Sequence, residues 1–394
     1  MSNVILDVRN EGLGKNGNTP IFPKLVFHHR QEINGSEDSP NYDLKLKAVD
    51  VCLNRIYPDW LSHDNDYLKE VFDECGEAIT PMGCRSFLSP FHKDGKFITK
   101  GRGNLGVITL DLPLYAVESG RDLSKFYEMI DKYIDMAVDV HRYTYEQVAK
   151  KKGSSNPLMY CEGGAWMSVG YDEEIRPILD AYTYSIGYIG LEEVCHALFG
   201  EGLKDHVDFG VEVLTHIDKR IKEAREKYGL LFSMYASPAE SLIYRFRNII
   251  HNKYGKIDNV TTRLYLTNSH HIHVAEQVNL IEKQLLEQPM FSISTGGRIM
   301  YNEYPIRTNK EAVLQGINHA MKLGLYYGVN TQNDFCNDCY HMDDFHGEDC
   351  PKCNSDNVTS INRCCGYLSF EKIKGDTRYN KGKAQEIKDR VDHV

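Results

Sequence analysis

Two cysteine pairs constrain this chain more than any other feature. Cys336-Asn-Asp-Cys339 and Cys350-Pro-Lys-Cys353 are CxxC motifs separated by ten residues. A CxxC knuckle turns the backbone around one ion so that both thiolates reach it. Two knuckles complete a tetrahedral four-sulfur shell, which suits zinc. An iron–sulfur centre is the alternative. All four positions are cysteine, so no coordination position is left for a substrate, and the expected metal is structural rather than catalytic. His341 and His346, inside the loop, are read as solvated. Of 11 cysteines in the chain, six lie between 336 and 365. The odd total, with no signal peptide in MSNVILDVRNEG, argues against a disulfide framework.

Composition narrows the class further. Of 394 residues, 41% are hydrophobic and 26% charged, which excludes collagen-like, disordered and disulfide-scaffold chains. No apolar run approaches the ~18–20 residues that span a bilayer. The net charge of −10 disfavours a broad basic field, so neither a membrane nor nucleic acid is expected as a partner. The expected location is cytoplasmic.

Up to about residue 330 the pattern alternates between strands and helices. Strand-like runs are IFPKLVFHH from Ile21, GVITLDLP from Gly106, YTYSIGYIGL from Tyr182, LLFSMYAS from Leu230, RLYLTNS from Arg263, FSISTGG from Phe291 and LGLYYGVN from Leu323. Helical periodicity follows Asp122, where Leu123, Phe126, Ile130, Ile134 and Ala137 form one stripe. A second helix is predicted over 207–227 with Gly229 as its C-cap, and a third after Pro238. Two more are predicted over 274–288 and 310–323. Helices of this length between strands imply an α/β fold with parallel β–α units.

After the ribbon comes RCCGYLSF, from Arg363 to Phe370. A glycine there reads first as a tight turn needing positive φ. The order of motifs carries more. A four-cysteine ribbon, then Arg-x-Cys-Gly-Tyr-Leu, then Tyr379-Asn-x-Gly-Lys383 and Arg390-Val-x-His393 resembles the end of the large subunit of anaerobic (class III) ribonucleoside-triphosphate reductases. GLGKNGNTPIFPKLVF from Gly12, PMGCRSF from Pro81, GRGNLGVITLDLP from Gly101, YASPAES from Tyr235 and LTNSHHIHV from Leu266 are also similar to family motifs, in the family's order.

The resemblance implies a glycyl radical enzyme: an oxidoreductase reducing ribonucleoside triphosphates to deoxyribonucleoside triphosphates, the precursors of DNA. It implies that Gly366 carries the stored radical. A planar α-carbon radical tolerates no Cβ, and glycine has none. Cys84 would pass its hydrogen atom to that radical, and its thiyl would take the 3′ hydrogen of the ribose. Asn104, Tyr235 and Glu240 are assigned to the catalytic site, with Asn104 facing ribose or formate. Their alternatives are a turn asparagine and a first-turn glutamate favoured by the helix dipole. His270, His271 and His273 are given packing or hydrogen-bonding roles. The implied cofactors are zinc and the glycyl radical, the latter installed by a radical-SAM iron–sulfur activating enzyme. Formate or a thiol protein is the reductant, and an oligomer is expected.

The fold implied is the C-terminal part of a glycyl-radical-enzyme β/α barrel over 1–330, a zinc ribbon over 331–358, and a radical loop and tail over 359–394. The family's large subunit is longer at its N-terminus, so a separate N-terminal polypeptide completing the barrel is expected. Two other readings remain: an inactive remnant or zinc-ribbon interaction protein that binds the activating enzyme, and a glycyl-radical lyase or dehydratase.

Overall fold

The structure, a computed structural model, describes residues 1–304, 309–345 and 348–393. His346 lies outside the described residues. Strands β1 (Val26–His29) and β2 (Asp59–Ser62) are followed by a short hairpin, β3 (His92–Lys93) and β4 (Lys96–Phe97). Then come β5 (Asn104–Asp111), β6 (Thr183–Ile189), β7 (Leu231–Ala236), β8 (Met300–Glu303) and β9 (Tyr326–Asn330). The series ends with β10 (Asn333–Cys336), β11 (Met342–Asp343), β12 (Val358–Arg363), β13 (Leu368–Ile373) and β14 (Asp376–Thr377).

The order β5-β6-β7 makes a wholly parallel sheet, as the long intervening helices require. Its two faces differ in chemistry. Tyr184, Ile186 and Tyr188 of β6 join Phe232 and Met234 in the largest core cluster, under the helices Leu123–Ala149 and Val207–Tyr228. Asp122 caps the first helix through Lys125 N, and Gly229 ends the second at φ 69°, as the sequence predicts. The alternate residues of β6, Thr183, Ser185 and Gly187, look to a polar face. Thr183 there accepts from Ser89 N, and Thr109 bonds Ser237.

The second sheet, β1-β2-β9-β8, is mixed: β1 and β2 are parallel, as are β8 and β9, while β2 and β9 are antiparallel. Among the described residues the two sheets share no ladder, but Gly296 N bonds Met234 O and Ala236 N bonds Gly297 O, joining β7 to the segment that enters β8.

Three expectations fail locally. RLYLTNS forms no strand. The N–H and hydroxyl of Thr267 both bond the buried Glu193 carboxylate at 2.8 Å, so a side chain takes the place of a neighbouring strand. FSISTGG begins as the end of the helix Leu280–Ile293, whose start is set by an Asn279–Glu282 capping box rather than at Val274. The helix expected at Pro238 starts four residues later, at Leu242.

The third sheet, β11-β10-β12-β13-β14, is antiparallel and holds the C-terminal part together. The boundary drawn at 358/359 falls between the first two residues of β12. That strand pairs with β10 of the ribbon on one side and with β13 of the following segment on the other, so one sheet spans the boundary.

Candidate functional site

The four ribbon sulfurs converge. Cys336, Cys339, Cys350 and Cys353 place their Sγ atoms within 4.8 Å of one another, with 3.5 Å between Cys336 and Cys353 and 3.6 Å between Cys339 and Cys350. A tetrahedral zinc at ~2.3 Å from each sulfur needs ~3.8 Å between sulfurs, so the donor set fits zinc. The two knuckles repeat one geometry. Tyr340 N bonds Cys336 O and Asn354 N bonds Cys350 O, and both Tyr340 and Asn354 are left-handed, at φ 59° and 55°. His341 stacks on Phe345 and is not among the ligands.

We expect about one zinc per chain by metal analysis, lost in Cys336→Ser. Cys336 is also the last residue of β10, paired with Val358 of β12. Removal of zinc should therefore expose residues 333–377 to protease, because metal binding and folding are coupled in such ribbons. A metal-free protein with an intact, protease-resistant C-terminal sheet would contradict this.

Gly366 sits in the loop between β12 and β13, closed by the Cys364 N bond to Tyr367 O at 3.0 Å. It is not among the glycines of positive φ, so the turn reading is not what requires glycine here. Close approach requires it. A Cβ built on Gly366 would lie 2.3 Å from Cys84 Cβ and 3.2 Å from its Sγ. The Gly366 hydrogen that an L residue replaces with its side chain is thus directed at Cys84.

Cys84 stands at the tip of a narrow turn. Met82 and Ser86 bridge across it, and Gly83 supplies φ 63°. Ser86 also bridges to Gly297. A Cβ on Gly297 would fall 2.0 Å from the Tyr235 ring, so this glycine makes room for Tyr235 beside the turn. Burial first, and then the Cys84 thiol, pushes the Tyr235 phenol well up. Cys84, Gly366 and Tyr235 are therefore brought together.

The other two assigned residues lie farther out. Glu240 is exposed, and its charge reaches the loop as one of the weaker influences raising the Cys364 thiol, after Cys365 and burial. Asn104 shares the polar sheet face with Tyr235 but stands at its other end. It pairs with Thr183, four residues before Gly187, the partner of Tyr235. At ~3.3 Å per residue that is about 13 Å. Its amide bonds Ser185 Oγ at 2.6 Å. The three histidines have hydrogen-bonding partners: His270 with Tyr188, His271 with Glu287, and His273 with Ala275 N.

Sequence reasoning assigned no role to three residues at this contact. Lys24 donates to Cys84 O at 2.6 Å and Gly366 O at 2.9 Å. Asp59 pairs with Lys24 at 2.9 Å and with Arg363 at 2.8 Å, and all three side chains are buried. Arg390 of the tail donates to Arg363 O at 2.9 Å. The tail is itself held by Lys383 and Arg390, which both pair with the buried Glu386 carboxylate. Lys24 lies in GLGKNGNTPIFPKLVF and Arg363 in RCCGYLSF, both similar to family motifs, which is the signal the sequence offers. Asp59 lies in a four-residue strand buried throughout, where no alternation marks it.

A cavity of about 60 Å³, lined by Arg85, His271, Tyr301, Arg363, Cys365 and Arg390 among others, adjoins the loop. That volume suits one or two waters, not a nucleotide. Among the described residues no helix is long and apolar enough to cross a membrane.

A family model described as anaerobic ribonucleoside-triphosphate reductase matches residues 1–393. The curated protein of that name from Haemophilus influenzae is 34% identical over 407 residues, covering 99% of this chain and 56% of its own length. Those from Escherichia coli and Enterobacteria phage T4 are each 35% identical, with 56% and 65% of their lengths covered. The chain thus spans little more than half the length of the first two relatives. Among solved structures, an anaerobic ribonucleotide reductase aligns with TM-score 0.72 at 18% identity, over 98% of this chain and 56% of that one. The Thermotoga maritima enzyme with glycerol in the active site gives 0.66 at 17%, over 94% and 55%. At such identity these two support the fold alone.

Proposed function

The chain belongs to the anaerobic ribonucleoside-triphosphate reductase family, and from that premise we propose that it is the catalytic C-terminal portion of such an enzyme. Its substrates are ribonucleoside triphosphates and its products the deoxyribonucleotides that supply DNA synthesis. Gly366 stores the radical after a radical-SAM activating enzyme removes one α-hydrogen. Cys84 then gives its hydrogen atom to Gly366, and its thiyl takes the 3′ hydrogen of the ribose. Tyr235 lines the space beside Cys84. Asn104, and Glu240 at the rim, contact substrate or formate, and formate or a thiol protein supplies the electrons. Zinc on the four ribbon cysteines fixes the sheet from which the Gly366 loop projects. The work takes place in the cytoplasm.

The observation that carries this reading is the packing of Gly366 on Cys84, where not even a methyl group fits. A remnant that only bound an activating enzyme would have no need of that contact. Two features support a completing N-terminal polypeptide. Among the described residues β5 is paired on one side only, and Val107 on it is 46% exposed. The first helix, Ser2–Glu11, also leaves Val4, Ile5 and Val8 exposed.

The test is anaerobic reconstitution of this chain with the proposed N-terminal polypeptide and an activating enzyme. A doublet-type signal in electron paramagnetic resonance and formation of deoxyribonucleotide are expected. Oxygen should then cleave the backbone at Gly366, giving a short C-terminal piece visible by mass spectrometry. Failure to form either radical or product under those conditions would end the proposal.

A further inference from the structure

The motif around Phe22-Pro23-Lys24 has no part in the scheme above, yet it reaches the centre of the site. We propose that Lys24 is a positioning residue of the radical relay: its ammonium ties the Gly366 and Cys84 carbonyls together and so fixes Gly366 Cα against Cys84 Sγ. The inference rests on the roles given to Gly366 and Cys84 under the proposed function.

An ammonium has three N–H donors and no acceptor. Lys24 meets three acceptors: Cys84 O at 2.6 Å, Gly366 O at 2.9 Å and an Asp59 carboxylate oxygen at 2.9 Å. The Lys24 side chain is 7% exposed and that of Asp59 fully buried, so water does not compete for these contacts. Asp59 also holds Arg363, whose guanidinium approaches Gly366 O at 3.4 Å, as does the Tyr57 hydroxyl. Tyr326 adds a donor to Cys84 O at 3.3 Å. Two cations thus share one carboxylate, and the uncompensated positive charge faces two carbonyl oxygens.

The two tied residues come from separate elements, the turn bearing Cys84 and the β12–β13 loop. Lys24 bonds both carbonyls directly. In the relay the Cys84 S–H bond breaks homolytically as a Gly366 Cα–H bond forms, so no proton or electron pair leaves the pair. Lys24 therefore acts through distance and through the electronic state of the Gly366 carbonyl, not as an acid or base. A charged donor on that oxygen also limits how much spin density it carries when the radical delocalises from Cα.

The experiment uses the complete activated enzyme with its N-terminal portion, and compares wild type with Lys24→Met. Radical content per chain, turnover per radical, nucleotide KM and the high-field paramagnetic resonance spectrum are measured together. Lys24→Met is expected to hold the radical but to lose about 100-fold in kcat per radical, the scale of a 1 Å misplacement of reacting atoms. KM should stay within about twofold of wild type, because the lost contacts are made to backbone rather than substrate. The largest g component should rise as the carbonyl loses its charged donor, a change that general loosening of the fold would not give. Lys24→Met with wild-type kcat per radical and an unshifted spectrum overturns the proposal. If Lys24→Met fails to fold, seen as loss of zinc and circular dichroism, the milder Lys24→Gln decides. A fall of about tenfold or more in kcat per radical supports the inference, and an unchanged value overturns it. A wild type with no radical would instead remove the underlying reading.

Discussion

Gly366→Ala is expected to abolish the radical signal and turnover together, and to loosen the C-terminal sheet as well. The two losses have different causes. A methyl group would stand 2.3 Å from Cys84 Cβ, against the ~3.5–4.0 Å at which carbon atoms rest in contact. Either the β12–β13 loop or the Cys84 turn must withdraw, and overpacking of that kind costs about 1–3 kcal/mol. The loop has little freedom to withdraw, because Lys24 holds its carbonyl and Arg390 holds Arg363 O. Loss of the radical comes from the α-carbon itself, which must flatten and cannot do so beside a side chain. A double variant separates the effects. In Gly366→Ala/Cys84→Gly the clashing atoms are gone, leaving Cys84 Cα at 3.3 Å as the nearest contact. Its denaturation midpoint should recover toward that of Cys84→Gly alone, a coupling that a double-mutant cycle detects. Its radical signal should stay absent. A radical on Gly366→Ala would show that another residue carries it.

What could be read from sequence followed the range of the interaction. The four-cysteine cluster was legible because its members lie in two short local motifs, and local spacing is enough to specify a knuckle. The parallel β5–β6–β7 sheet was legible because long helices between strands leave few other topologies. The strand assignment of RLYLTNS failed because a side chain supplied what a neighbouring strand would have: the Glu193 carboxylate, buried beneath Thr267, has no signature there. The Gly366–Cys84 contact was legible only through the motifs' resemblance to a family. The positive-φ explanation of Gly366, the one available from local pattern, is not the explanation the structure supports. The Lys24–Asp59–Arg363 group was invisible as a group. Its members come from three distant segments, and nothing in the periodicity of any one segment announces a buried cation needing a shared carboxylate. Burial of charge is decided by tertiary packing, after which pairing becomes obligatory.

Cys84→Ser should give the opposite pattern to Gly366→Ala: radical kept, turnover lost. Serine preserves the turn, since the contacts that hold it use backbone atoms. Met82 and Ser86 bridge across it, and Lys24 and Tyr326 bond the Cys84 carbonyl. The Gly366 α-carbon is unchanged, so the activating enzyme should still install the radical, and the zinc content should match wild type. What fails is the hydrogen-atom transfer. A thiol S–H bond is weak enough to exchange hydrogen with both a glycyl carbon and a ribose carbon, whereas a hydroxyl O–H bond is much stronger. Even about 7 kcal/mol added to the barrier slows the step roughly 10⁵-fold. Binding should be spared, so nucleotide affinity measured without turnover should stay near wild type while product formation falls to background. The paired measurement is spin count and deoxyribonucleotide formed in the same sample. A full radical signal with no product places Cys84 between the stored radical and the substrate. Normal product from Cys84→Ser would remove it from the relay, and loss of the signal would mean that Cys84 is needed to install or shelter the radical rather than to pass it on.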